Sequence, residues 1–112
     1  MLTLFKEYIQ NTIPNNPVRA FDVLEDKIPR FILWKGQLVP GEVVYAICCK
    51  TSKQIKYIGV TNSLKRRLAE HRLGGKYRPG EECVFYSFAP RTIERFLIEL
   101  VKPKRNIIYN TG

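Results

Sequence analysis

One histidine, His71, is all this chain has, and a lone imidazole excludes every acid–base scheme that divides its work between two histidines. Cysteine is nearly as scarce. Cys48, Cys49 and Cys83 argue against a disulfide framework, and their spacing matches neither a zinc ribbon nor a zinc finger. Acidic residues are thin as well, 10 against 19 basic ones, and no dense Asp/Glu cluster marks an obvious two-metal centre. No apolar run approaches the length of a membrane span, and Met1 to Ile13 is broken by charges and has no cleavage-like pattern of small residues. These absences predict an intracellular protein with no membrane partner, cytoplasmic or, in a eukaryotic or viral setting, nuclear. No internal repeat or low-complexity linker is present.

What the chain has in excess is positive charge. Its 112 residues suit one small domain with a modest core, and the formal charge is +9. Residues 1–40 hold five basic and four acidic groups, whereas 41–112 hold fourteen and six, so the excess belongs almost wholly to the second part. That polarity suits a polyanionic partner. Lys65, Arg66, Arg72, Lys76, Arg78, Arg91, Arg95, Lys102, Lys104 and Arg105 are the candidates for phosphate contacts, which position a nucleic acid without reading its sequence. A bilayer-seeking face would carry aromatic anchors among the arginines, and this one has few.

Leu2, Phe5, Tyr8, Ile9 and Ile13 recur at helical intervals and predict a short amphipathic helix ending before Pro14, with a turn at Asn15, Asn16 and Pro17. Val18–Leu24 and Phe31–Leu38 are punctuated by Pro29, Gly36, Pro40 and Gly41. Phe31–Trp34 reads as an extended piece packed on the main domain, with Trp34 in the core. Residues 1–40 therefore form an N-terminal extension, helix plus extended segment, on a unit spanning 41–112.

Val43–Cys49 and Ile55–Val60 are apolar and β-branched around the polar Lys50–Gln54, which predicts an antiparallel hairpin. With the register centred near Ser52, Tyr45 and Tyr57 share a face and sit diagonally within reach of one substrate. Asn62 or Ser63 caps a following helix whose buried side carries Leu64 and Leu68 and whose next ridge carries Arg67 and His71. Leu73–Glu82 reads as a mobile loop beside the nucleic acid. Cys83–Phe88 alternates as a third strand, and Thr92 caps a last helix with Glu94 in its first turn, at the margin of the inward face of Leu97, Ile98 and Val101. The order β-β-α-β-α, followed by a terminal segment through Ile107 and Ile108, predicts an α+β fold: a small three-stranded, mostly antiparallel sheet flanked by helices.

The triplets Val43-Val44-Tyr45 and Tyr57-Ile58-Gly59, continued by Thr61, Asn62, Leu64, Arg66, Arg67, Leu68 and His71, resemble the first half of a GIY-YIG nuclease domain. Glu94, Leu97, Ile98, Lys102, Pro103 and Asn106 resemble its acidic helix and its closing lysine-proline-x-x-asparagine segment. The resemblance covers about residues 41 to 109, as in compact members of the family. Val43 stands where the first triplet has glycine, a strand-start position without a catalytic role, so the departure weakens the signature more than the chemistry.

The resemblance implies a divalent-metal-dependent endonuclease that hydrolyses DNA phosphodiester bonds by water attack. Tyr45 would activate the water directly or through solvent, and Tyr57 would hydrogen-bond near the scissile phosphate. Arg67 would neutralise that phosphate, Glu94 would hold the ion, and His71 would order the nucleophilic site. Gly59 and Asn106 would support the site structurally. The cofactor implied is Mg2+, with Mn2+ as its substitute. The partner is DNA, duplex or branched, bound through Lys65, Arg66, Arg72, Lys76, Arg78, Arg91 and Lys104; a second copy of the chain or a targeting protein would add reading surface.

The residue types suit that chemistry on their own terms. Charge developing on phosphate oxygens is met by an arginine fork and a hard cation. Magnesium is satisfied by one carboxylate plus water and substrate oxygens. A tyrosine, with a reference pKa near ~10, is a poor base unless positive charge favours its phenolate, and Arg66, Arg67 and a bound cation are the available sources of that field. The other readings of the same residues are a noncatalytic nucleic-acid-binding module and a nuclease subunit targeted by a partner protein.

Overall fold

The computed structural model describes residues 2–13, 17–21 and 28–106. Along the chain run α1 (Leu2–Thr12), β1 (Arg19–Ala20), β2 (Phe31–Trp34), β3 (Gln37–Pro40), β4 (Val43–Cys49), β5 (Ile55–Thr61), α2 (Leu64–Leu73), β6 (Glu82–Phe88) and α3 (Thr92–Val101). The fold is α+β, with an antiparallel sheet in the order β1-β6-β4-β5 and a separate β2-β3 hairpin. The expected three-stranded core is present, and β1 adds a fourth strand by pairing Arg19 with Tyr86 and Ala20 with Phe85. The turn expected at Asn15 and Asn16, the part of Val18–Leu24 beyond Phe21, and the terminal segment through Ile107 and Ile108 fall outside the described residues. Among the described residues no helix is long and apolar enough to cross a membrane.

β4 lies in the middle of the sheet with helices on both faces, and every residue from Val43 to Cys48 is buried. Double-sided burial explains why VVYAICC is an unbroken apolar run instead of an alternating one. Its pleat sorts the side chains. Val44, Ala46 and Cys48 enter a cluster with Phe5 and Ile9 of α1 and Ile93 and Leu97 of α3, against which Trp34 also packs. Val43, Tyr45 and Ile47 enter a second cluster with Leu64 and Leu68 of α2 and Val84 and Tyr86 of β6. Phe5 and Ile9 are fully buried, together worth about 3–6 kcal/mol of apolar burial, so α1 is part of the core and not a loose tail.

The β4–β5 register pairs Tyr45 with Gly59 and Ile47 with Tyr57, the arrangement centred on Ser52, with an irregularity between Ile47 and Cys48. Lys35 and Gly36 both have positive φ, 49° and 77°, as a two-residue turn between β2 and β3 requires. The expected caps are not made by the expected side chains. Ser63 precedes α2 but makes no side-chain capping bond, and its N–H donates to the Thr61 hydroxyl at 3.0 Å. Thr92 is the first residue of α3, not its cap: Arg91 takes that position in helical geometry, and the Pro90 and Arg91 carbonyls accept from Ile93 and Glu94. α3 ends at Lys102 in the left-handed conformation, after which Pro103 cannot continue the helix.

The loop from α2 to β6 is tied along its length. The Lys76 N–H donates to the His71 carbonyl at 2.8 Å, the Lys76 carbonyl accepts from the Arg105 guanidinium, and the Arg78 N–H donates to the Glu82 carboxylate at 2.8 Å. Two of these ties were hidden from the sequence because their anchors, His71 and Arg105, lie outside Leu73–Glu82, and the third is internal to that stretch.

Candidate active site

Because Tyr45 and Tyr57 occupy diagonal positions on the α2 face of the β4–β5 pair, their ring centroids lie 6.0 Å apart. Helical spacing on α2 brings His71 onto both: its ring centroid is 5.0 Å from that of Tyr57, and its Nε2 is 2.8 Å from the Tyr45 hydroxyl. Gly59 makes room for this packing. A Cβ there would stand 2.5 Å from the Tyr45 Oη and 2.8 Å from a Tyr57 ring carbon, closer than real contacts allow. The supporting role of this glycine is therefore steric, a seat for the phenol and not a turn.

Arg67, one turn before His71, lies near enough to both phenols to interact with their oxygens, and its guanidinium is held by Glu70 at 2.8 Å. Glu70 is the chief reason that Arg67 is held firmly cationic. Burial raises the Tyr45 hydroxyl well above an ordinary tyrosine, and the nearby charge of Arg67 only partly offsets it. Of the two arginines named as sources of a field favouring the phenolate, Arg67 offsets the desolvation only in part, and Arg66 is exposed and turned toward Glu70 at 3.8 Å. Burial, with the charges of Arg67 and Lys76, lowers His71 to about 4. The imidazole is thus neutral near neutral pH and has one bare nitrogen. Assigning that nitrogen as Nε2 lets the Tyr45 O–H donate to it while the phenol oxygen, closed to solvent, keeps its lone pairs for Arg67.

Glu94 comes from the other face. It sits in the first turn of α3, half-buried, with its carboxylate at the Val60 N–H, one residue along β5 from Gly59. A cleft of about 390 Å³ opens beside it, lined by Glu94, Arg95, Ile98 and Glu99. Burial raises Glu94 above the usual carboxylate range, Arg91 pulls it back, and Glu42 raises it further. On the same strand, the Asn106 side chain accepts from the Ile58 N–H and donates to the Ile58 carbonyl, both at 2.7 Å. Ile58 and Val60 are two apart, so both point their backbone groups to the outer side of β5. β5 is thus the common spine: the phenols and His71 lie over Tyr57–Gly59, and Glu94 and Asn106 grip its outer edge.

Residues 42–107, well over half of the chain, match the model of the GIY-YIG catalytic domain. The chain belongs to the GIY-YIG family. No curated protein and no solved structure matches it. Membership places it among nucleases, with nucleic acid as the general class of partner.

The basic residues of this GIY-YIG domain are mostly exposed, and several of them face carboxylates. Lys65, Arg66 and Arg72 project from α2, and Arg78 and Lys104 are also exposed, as is Lys76. Arg91 is exposed but paired with Glu42 at 3.2 Å, Arg78 with Glu81 at 3.7 Å, and Arg105 with the buried Glu82 at 2.8 Å. Glu82 was not anticipated as a key residue. It is 2% exposed and gathers Lys56, Arg105 and the Arg78 N–H, which holds it below the usual carboxylate range despite its burial. Its sequence signal is weak, since Arg105 lies 23 residues away. Glu70 was equally unmarked, although its place three residues after Arg67 is a helical pairing distance.

Among the described residues no group of three or more His, Cys, Asp or Glu converges on a common point. A hard divalent ion that keeps most of its water needs no such group. Glu94 fits that mode: a poorly solvated carboxylate with a second carboxylate, Glu42, in electrostatic range gains by cation binding.

Proposed function

We propose that the protein is a divalent-metal-dependent endonuclease that hydrolyses DNA phosphodiester bonds, acting inside the cell, with residues 1–40 as an extension on a catalytic unit of 41–112. The observation that carries the reading is the buried Tyr45–His71 hydrogen bond set beside Tyr57 and Arg67. Such a pair is more than packing requires, because a phenylalanine would fill the Tyr45 space without a partner.

In this reading Tyr45 acts as a protonated phenol. Its oxygen, closed to solvent in this structure, accepts a hydrogen bond from the attacking water once Arg67 has moved from it to the phosphate, while its own proton leans on His71 Nε2. As the water loses its proton to Tyr45, the phenolic proton passes to His71, so no free phenolate forms. His71 is a weak base at its depressed pKa, but it is unprotonated and available throughout the neutral range. Arg67 exchanges Glu70 for a nonbridging phosphate oxygen, and Tyr57 donates to the same group. Glu94 would hold Mg2+ or Mn2+, which supplies Lewis-acid stabilisation of the phosphate charge. Lys65, Arg66, Arg72, Lys76, Arg78, Arg91 and Lys104 would seat the flanking phosphates. The expected products are a 5'-phosphate and a 3'-hydroxyl.

The test is cleavage of labelled duplex, single-stranded, flap and four-way DNA with magnesium and with chelator, alongside Glu94→Gln. Metal-dependent cuts that vanish in the variant support the reading. Salt-sensitive DNA binding with no cuts by the unaltered protein would replace it with a noncatalytic binding module.

A further inference from the structure

α2 has a second working flank. Leu64 and Leu68 face inward, Arg67 and His71 lie to one side, and Lys65, Ala69 and Arg72 lie to the other. On that far side is a pocket of about 310 Å³ walled by Phe21, Leu68, Ala69, Tyr77 and Pro79, with Lys65 and Arg72 at its rim. Its walls are fixed by backbone bonds: the Phe21 N–H donates to the Val84 carbonyl at 2.8 Å, and the loop bearing Tyr77 is tied at Lys76 to His71. Phe21 is braced further by Tyr86 in an edge-on ring contact at 6.5 Å.

An aromatic, apolar interior with two cations at its mouth suits a flat π-system that carries an anion. The volume is at the lower end of small-molecule sites, which run from ~300 Å³, so it suits one base and not an extended ligand. A helix is ~10–12 Å across with its side chains, so a strand crossing α2 from Arg67 reaches the pocket about three nucleotide steps away at ~3.4 Å per step. A base enters only when out of its stack.

Resting on the nuclease reading above, we propose that this pocket holds an unpaired nucleobase of the bound DNA strand, stacked on Tyr77 and Phe21 with its phosphate at Lys65 and Arg72. The site thereby favours DNA with an unpaired nucleotide near the cut over intact duplex.

The test uses the full chain in chelator, so that binding is read without cleavage. The probe is a duplex with one unpaired 2-aminopurine, compared with the fully paired duplex, for the unaltered protein and for Ala69→Leu, which fills the pocket from an exposed helix position. Expected are quenching of the unpaired probe on binding and its loss in Ala69→Leu. Affinity for that probe should fall about 5-fold or more, and affinity for paired duplex should change less than about 2-fold. Arg72→Gln should weaken both probes, because the residue also seats backbone phosphate, and the unpaired probe by the larger factor; an equal loss for both would count against the pocket. Equal quenching and equal affinity in unaltered and Ala69→Leu protein would overturn the proposal. So would free deoxyadenosine monophosphate displacing the probe as strongly as the unpaired strand does. Selective quenching without any cleavage in magnesium would uphold the pocket and sink the nuclease reading; cleavage without selective quenching would do the reverse.

Discussion

Acid should destabilise this protein through His71 before it protonates most carboxylates. The imidazole is 5% exposed and held at about 4, against an ordinary value near 6.5. The unfolded chain therefore takes up a proton below about pH 6.5 that the folded chain refuses until about pH 4. The stability tied to a neutral His71 is complete above 6.5 and is lost as pH falls toward 4. A difference of about 2.5 in pKa is worth about 3 kcal/mol in full, and about 2 kcal/mol of it is gone by about pH 5. Glu82, held low, adds its own loss at lower pH, and Glu94, held high, works the other way. The assay is urea unfolding across about pH 7.5 to 4.5 for the unaltered protein and His71→Asn, because their difference isolates the imidazole. The gap between the two should close by about 2 kcal/mol as pH falls to about 5. Parallel pH curves would refute the placement of a neutral, buried His71 against Tyr45.

Tyr45→Phe keeps the ring but removes the proton that leans on His71; single-turnover cleavage should fall by about 10²-fold or more, with stability lowered by about 1 kcal/mol. Full activity would remove Tyr45 from the mechanism. Glu70→Gln releases Arg67 from its ion pair, and DNA affinity in a fluorescence titration should rise about 2- to 5-fold at a stability cost under about 1 kcal/mol, as exposed pairs contribute little. Weaker binding would show instead that Glu70 positions Arg67. Gly59→Ala drives a methyl into the Tyr45 phenol, so thermal unfolding should report a loss of about 1–3 kcal/mol, and an unchanged midpoint would contradict the close packing over β5.

Local signals carried the reading furthest where a single turn set the outcome. The polar Lys50–Gln54 stretch between two apolar runs fixes the β4–β5 register, and that register alone puts Tyr45 diagonal to Tyr57. The spacing of Leu97, Ile98 and Val101 likewise placed Glu94 at the margin of α3's inward face. β1 was illegible because two exposed residues carry no pattern; the open edge of β6 recruits them. The desolvation that raises the Tyr45 hydroxyl was not legible from its arginine neighbours, because it depends on β4 lying inside the sheet, which is a property of the assembled fold. The Glu82 ion pairs joining β5, β6 and the segment after α3 were hidden for the same reason, as their partners are remote in sequence.

The Asn106 carboxamide has a consequence beyond the site. By giving Ile58 one donor and one acceptor, it imitates a further strand at an edge where, among the described residues, the sheet has none. A boundary strand with open backbone groups is a template on which other chains polymerise. Here the stretch of β5 that serves chemistry is closed to that reaction by a side chain from the far end of the domain, so one asparagine protects the protein from self-association along the strand it can least afford to cover.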